Sequence, residues 1–296
     1  MALAFLPAAD AIDPAMVVSH KFPEVAFGYD ERLPPPTTCS TRDVALFALA
    51  MGACNADAAD EKELHLVYHR DGQSFIKVLP TFAALFASKS GNGLRLAVPG
   101  LHYDPNRLLH ARQYIEIYRQ IPSRANITNK IKVAGLHDRG KAAVLELETV
   151  TCLEDSGQVL CVNRSTIYLG GAGGFSDPSQ PFSYATYPSN EVSHVTFPDS
   201  TPSAVYEDHT QKSQALLCGL SAYFDPLHSD PITAQVSGFS RPILPGLCTL
   251  GFAIRAVTRL FGNMEPEKVK SVSCRFLHHV YPGETLVTEM WLQGQR

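Results

Sequence analysis

Basic residues are few and scattered along the chain. The 25 Lys and Arg against 29 Asp and Glu leave a net charge of −4. Without a cationic face there is no electrostatic footprint for nucleic acid. Long apolar runs are missing too: no stretch approaches the ~18 residues of a membrane-spanning helix, so no membrane span is expected. The opening MALAFLPAADAIDP is briefly apolar, but it has no basic residue and reaches acids at Asp10 and Asp13. That argues against a secretory leader. The seven cysteines (Cys39, Cys54, Cys152, Cys161, Cys218, Cys248, Cys274) are odd in number and show no C-x-x-C spacing. Several sit in apolar runs such as VTCLED and QVLCVN, which predicts buried free thiols in a reducing, intracellular compartment rather than a disulfide framework.

Several site chemistries are absent as well. No histidine pair or cysteine cluster has metal-ligand spacing, and the adjacent His278 and His279 are expected on opposite faces of a strand. GGAGG, residues 170–174, lacks the spacing and the following lysine of a phosphate-cradling loop. GLSAY lacks the second glycine of a nucleophile elbow. No metal and no cofactor are expected.

The composition that remains, 45% hydrophobic and 18% charged, is that of a globular protein of one large or two ordinary domains. Residues 170–210 carry Gly, Ser and Pro at a density that reads as a linker. The two sides repeat one order. DVALFALAMGA and then KVLPTFAALFA in the first half match SQALLCGLSAY and then PILPGLCTLGFAIRA in the second. The Leu-Pro step recurs at Leu79-Pro80 and Leu244-Pro245, 165 residues apart. Four strand-like segments follow in the first half: RQYIEIYRQI, ITNKIKVAGL, KAAVLELETVTC and QVLCVNRSTIYL. Only two follow in the second, KVKSVSCRFLHHVY and ETLVTEMWLQ. The expected organisation is an N-terminal repeat over 1–169, a linker over 170–210 and a shorter C-terminal repeat over 211–296. The proline run LPPPTTCSTR near 33–42 suits neither helix nor strand and reads as an inserted loop. LCTLGFAIRAVTRLF, Leu247 to Phe261, has few polar positions and predicts a helix enclosed by sheet, hence an α+β fold.

Two places carry candidate chemistry. In DPLHSDP, two Asp-Pro steps bracket His228 in a rigid turn between apolar helices. Asp225 lies three residues before it, and a nearby carboxylate orients an imidazole and raises its pKa, as suits a general base acting on water. A surface or satisfied core histidine is the plainer alternative. Gly246 opens the enclosed helix, where free N–H groups and the positive dipole end favour a developing negative charge. A glycine that merely permits close packing is the alternative there.

Taken together, FGYDER, VLPTF, VPGLHYDPNRLLHARQYIEIYRQIPS, KAAVLELET, GAGGFS, QALLCGLSAYFDPLHSDP, GFSRPILPGLCTLGFA and CRFLHHVYPGETLVTEMW resemble, in order, the peroxisomal enoyl-CoA hydratase 2 family. This is the hydratase unit of multifunctional β-oxidation enzymes, within the MaoC-like group. The resemblance implies a double hot-dog fold and (3R)-specific hydration of trans-2-enoyl-CoA, with the thioester as substrate, a peroxisomal location and a homodimer. It places His228 on the motif histidine, Asp225 on the motif asparagine and Tyr223 on the motif aspartate. Gly246 falls on the donor to the thioester oxygen, preceded by Pro245 where relatives have histidine. His110, Ala111, Arg139 and Phe276 fall on acyl-CoA contacts. Tyr223 and Pro245 depart from the pattern, which leaves a catalytically impaired acyl-CoA-binding or scaffolding homologue as the alternative.

Overall fold

The computed structural model describes residues 12–22, 25–27, 40–89, 98–187, 198–221 and 225–293. The helices are α1 (Pro14–Ser19), α2 (Thr41–Ala50), α3 (Glu61–Leu64), α4 (Ala83–Lys89), α5 (Gln214–Leu220), α6 (Pro231–Val236) and α7 (Gly246–Leu260). The strands are β1 (Val25–Phe27), β2 (Leu108–Ile117), β3 (Ile127–Asp138), β4 (Ala142–Leu153), β5 (Val159–Gly170), β6 (Ser183–Ala185), β7 (Ala204–His209), β8 (Ser271–Arg275) and β9 (Thr285–Met290). A large sheet runs β1-β3-β4-β5-β2-β8, with β6 also paired to β3, and β7 and β9 form a second sheet. All pairings are antiparallel.

The four first-half strands read from sequence are β2 to β5, and the two of the second half are β8 and β9. Their alternation sends Ala143, Leu145 and Leu147 of β4 and Ile167 and Leu169 of β5 into a small core closed by α1 and residues 98–103. A larger core joins α2, α4, α5 and α7 to the far ends of β2 and β5. Strand β8 belongs to the second half of the chain yet completes the first-half sheet by pairing with β2. The six described cysteines are free thiols. Burial pushes the Cys161 thiol up to about 12 and Cys274 up to about 11.

Two expectations change. The stretch 170–210 is not devoid of regular structure, since β6 pairs with β3 and β7 pairs with β9. Both lie at sheet edges, where a strand needs hydrogen bonds on one side only and tolerates neighbouring Gly and Pro. Of the proline-run segment near 33–42, residues 33–39 lie outside the described residues, while Thr41 and Arg42 open α2. Ser40 caps that helix: its side chain accepts the Asp43 N–H while the Asp43 carboxylate accepts the Ser40 N–H. The capping box lies in S-T-R-D, whose first three residues belong to the stretch read as an inserted loop.

Helix α7 is enclosed as expected, with only Leu260 exposed, but it is not simply apolar. Arg255 is 1% exposed and sits among Glu63 of α3, Asp208 of β7 and the Met51 carbonyl, whose oxygen accepts from Nε at 3.0 Å. Burial opposes the guanidinium charge, and the Asp208 and Glu63 carboxylates more than offset it, so its pKa rises. Gly251 and Gly52 make the approach of α7 to α2 possible, since an added Cβ would overlap Met51 at the first and Phe252 at the second. Replacing Arg255 by Ala strands the buried Asp208 carboxylate and leaves Glu63 with Arg259, at 3.2 Å, as its cationic partner. Arg255→Ala should therefore lower the unfolding free energy by about 3–5 kcal/mol, read from denaturant titration. A loss under about 1 kcal/mol would show the cluster to be solvated.

Candidate active site

Strands β2 and β8 run together as far as the pair Arg112 and Arg275. One further bond, from the Phe276 N–H to the Ala111 carbonyl at 2.9 Å, holds them before residues 277–280 turn away. A cavity of about 480 Å³ opens in the seam. Leu108 to Ala111 and Tyr168 form one wall, Phe276 to Val280 the other, and His228, Asp225 and Gly246 lie along it.

The local sequence fixes His228. Asp225 caps the 3-10 turn Pro226–His228 by accepting the Leu227 N–H at 2.9 Å. Asp230 in turn caps α6, accepting the Thr233 N–H at 2.9 Å. DPLHSDP is thus two successive Asp-Pro caps with the histidine between them. The His228 Nδ1 lies 2.9 Å from the Ile243 carbonyl oxygen. A carbonyl can only accept, so Nδ1 carries the proton and Nε2 is the basic nitrogen. Burial lowers the His228 pKa, opposed by the bond to Ile243 and by Asp225. Asp225 was expected to raise it above the ordinary value; desolvation outweighs the carboxylate.

Gly246 is the first residue of α7, behind Pro245, and no side chain caps that end. First-turn N–H groups have no carbonyl inside the helix, and the dipole adds partial positive charge. A Cβ at Gly246 would lie 2.9 Å from the Phe276 ring, so glycine is needed for the contact that closes the cavity. The close-packing reading of Gly246 holds, and the residue also stands at the start of the helix. The His110 ring meets the Phe276 ring edge-on at 5.1 Å. Burial lowers its pKa to about 4, so it is a neutral imidazole at physiological pH. Its Nε2 is buried without a hydrogen-bond partner among the described residues.

Six of the eight residues singled out from sequence, His228, Asp225, Gly246, His110, Ala111 and Phe276, therefore line one cavity. Arg139 does not: it is exposed in the turn between β3 and β4. Tyr223 lies outside the described residues. His278 and His279 are a correction, because β8 ends at Arg275 and both histidines line the cavity rim rather than opposite strand faces. His279 packs edge-on to Phe239 and Tyr281. Among the described residues no group of three His, Cys, Asp or Glu could hold a metal ion. The Ile243 carbonyl that sets the His228 tautomer, and the Leu109 and Tyr168 wall, went unread. Backbone acceptors and cross-strand neighbours leave no local sequence signal.

Comparison with known proteins gives two family models end to end. The MFE-2 hydratase 2 N-terminal domain matches residues 38–171 and the MaoC like domain matches residues 194–296. The chain is 55% identical to the peroxisomal enoyl-CoA hydratase 2 of Arabidopsis thaliana, over 95% of this chain and 87% of the relative. It is 34% identical to the mouse peroxisomal multifunctional enzyme type 2, over 94% of this chain but 35% of that longer protein. Among solved structures, the Drosophila melanogaster peroxisomal multifunctional enzyme type 2 aligns over 92% of this chain and 43% of its own, at 30% identity and a TM-score of 0.73. A MaoC-like dehydratase from Phytophthora capsici aligns over 96% of this chain and 89% of its own, at 26% identity and a TM-score of 0.77. The architecture is accordingly α+β, the double hot-dog of MaoC-like proteins.

The Gly246 contact generates a test of this geometry. Gly246→Ala should displace the Phe276 ring and cost about 1–3 kcal/mol of stability. Adding Phe276→Leu should restore most of it. Additive losses in the double variant would show that the two residues do not touch.

Proposed function

The chain belongs to the enoyl-CoA hydratase 2 family of MaoC-like proteins, and we propose that it hydrates trans-2-enoyl-CoA to (3R)-3-hydroxyacyl-CoA in peroxisomal fatty acid β-oxidation. It is a hydro-lyase by family. The observation that supports the reading in this chain's own residues is a shared cavity. It holds a histidine of fixed tautomer beside the unblocked start of a 15-residue helix.

In this reading His228 Nε2 takes a proton from water and the hydroxyl adds to C3 of the enoyl group. The C2–C3 electron pair moves toward the thioester, whose oxygen gains negative charge against the Gly246 N–H. A proton delivered to C2 from the same side completes a syn addition. Asp225 or Tyr223 handles that proton, and a tyrosine with a pKa of ~10 donates more readily than it accepts. His110 and Phe276 contact the acyl-CoA, with Ala111 beside them and Arg139 reached only by the carrier end outside the cavity. The thioester is the substrate and no cofactor takes part. Two repeats over 1–169 and 211–296, and assembly as a homodimer, belong to the same proposal.

One observation favours a second reading, an acyl-CoA-binding homologue without turnover. The Asp225 carboxylate is engaged in capping Leu227, and the resemblance read from the sequence places Tyr223 on the motif aspartate.

The test is incubation of the purified chain with trans-2-decenoyl-CoA, following loss of the conjugated thioester and resolving product chirality. Turnover is expected, with His228→Ala reducing it about 10²–10⁴-fold. Because burial holds the His228 pKa below the ordinary ~6.5, the base is neutral from there upward. Thus kcat/KM should stay level above that pH and fall only at lower pH. An acidic limb centred above ~6.5, or full activity in His228→Ala, would overturn the assignment. Binding without turnover would select the second reading.

A further inference from the structure

Arg112 of β2 and Arg275 of β8 stand directly opposite each other. Like charges in that position repel, and an antiparallel pair normally avoids them. Neither guanidinium forms an ion pair with a carboxylate among the described residues. Glu146, in the same row of the sheet, is two strands from Arg112 and is bonded to Thr166 and Tyr187 instead. Two neighbouring arginines without a carboxylate counter-ion among the described residues suit an anion.

The sheet register shows where that site faces. Leu109 pairs with Tyr168 and Arg112 pairs with Thr166, with the one-residue shift falling at Ala111. Tyr168 and Thr166 are two apart on β5 and share a face. Leu109, Tyr168, Arg112 and Arg275 therefore lie on one face of the sheet. The bulge at Ala111 turns Arg112 onto the side that Leu109 occupies; an unbroken strand would put it on the other. Leu109, Tyr168 and Leu277 line the cavity and are 45%, 39% and 65% exposed, so they mark its mouth. The arginine pair borders that mouth, each residue next in sequence to a cavity-lining one, Ala111 and Phe276.

We propose that Arg112 and Arg275 form an anion subsite at the outer mouth of the cavity that binds the diphosphate of the CoA carrier. This deepens, and rests on, the acyl-CoA reading above. Two guanidinium forks match two adjacent phosphates, and charge-assisted bonds of that kind orient the carrier while the acyl group passes through the seam to His228 and Gly246. The repulsion within the empty pair is relieved when the diphosphate binds.

The test compares trans-2-decenoyl-CoA with the phosphate-free trans-2-decenoyl N-acetylcysteamine thioester, by calorimetric binding to wild type and to Arg112→Gln/Arg275→Gln. Affinity for the CoA thioester should fall about tenfold at low ionic strength, and its ratio to the N-acetylcysteamine thioester should fall with it. The CoA affinity should also depend less on salt in the variant. A phosphopantetheine thioester, with one phosphate, should lose less; an equal loss would overturn the assignment to the diphosphate. Arg112→Glu supplies a readout that a structural role would not give. It should raise Tm by creating a cross-strand ion pair with Arg275 while weakening CoA thioester binding more than Arg112→Gln does. A higher Tm with an unaltered affinity ratio would overturn the subsite. If neither thioester binds the wild-type protein, the acyl-CoA reading fails and the subsite with it. Binding of both with an unchanged ratio in the double variant removes the subsite alone.

Discussion

Side chains from the second half of the chain complete the hydrogen bonds that the end of α2 leaves open, and the site depends on that join. A helix ends with carbonyls that have no partner of its own. Here the Ala50 carbonyl accepts from Gln214 Nε2 at 2.7 Å and from Cys248 Sγ at 3.6 Å, and the Met51 carbonyl accepts from Arg255 Nε. Arg255 then reaches Glu63 and Asp208, so α2, α3, β7 and α7 meet at one buried charge. Burying ions is expensive, and such a cluster contributes more to a unique arrangement than to net stability. It fixes α7 along its length, and thereby fixes where Gly246 begins the helix.

From that placement the cavity follows. The Gly246 backbone meets the Phe276 ring, and Phe276 is the residue at which the second-half strand leaves β2. Beyond it the sheet splits, and the split exposes His110 on one side to His228 on the other. The Leu244 N–H donates to the Val280 carbonyl at 2.7 Å, tying the far wall to the segment that precedes α7. Ile243, one residue earlier, supplies the carbonyl that sets the His228 tautomer. Helix start, strand departure and the His228 tautomer are three consequences of one short connection, residues 243–246.

What the sequence made legible was local. Period-two alternation marked β2 to β5, the apolar run marked α7, and DPLHSDP marked a rigid turn because Asp-Pro caps act within three residues. Placement across the chain was not legible. Nothing in SVSCR says that it completes the sheet of the other half, and nothing in HAR says that Ala111 is a bulge that turns Arg112 outward. The run LCTLGFAIRAVTRLF read only as an enclosed helix with few polar positions, since the two carboxylates that meet its Arg255 lie far away in sequence. His278 and His279 were assigned to a strand because a strand's end depends on its partner, and β2 is that partner. The direction of the His228 pKa was misjudged for the same reason: the nearby Asp225 is written in the sequence, and burial is not.

The central claim is that His228 and the start of α7 hydrate the enoyl thioester from one side of the cavity. The most direct measurement is hydration of trans-2-decenoyl-CoA in deuterated water, with the configuration of the new centres at C2 and C3 determined. The account predicts a (3R)-hydroxy product with deuterium and hydroxyl added syn. An anti addition, or a (3S) product, would contradict the roles proposed for His228 and the start of α7.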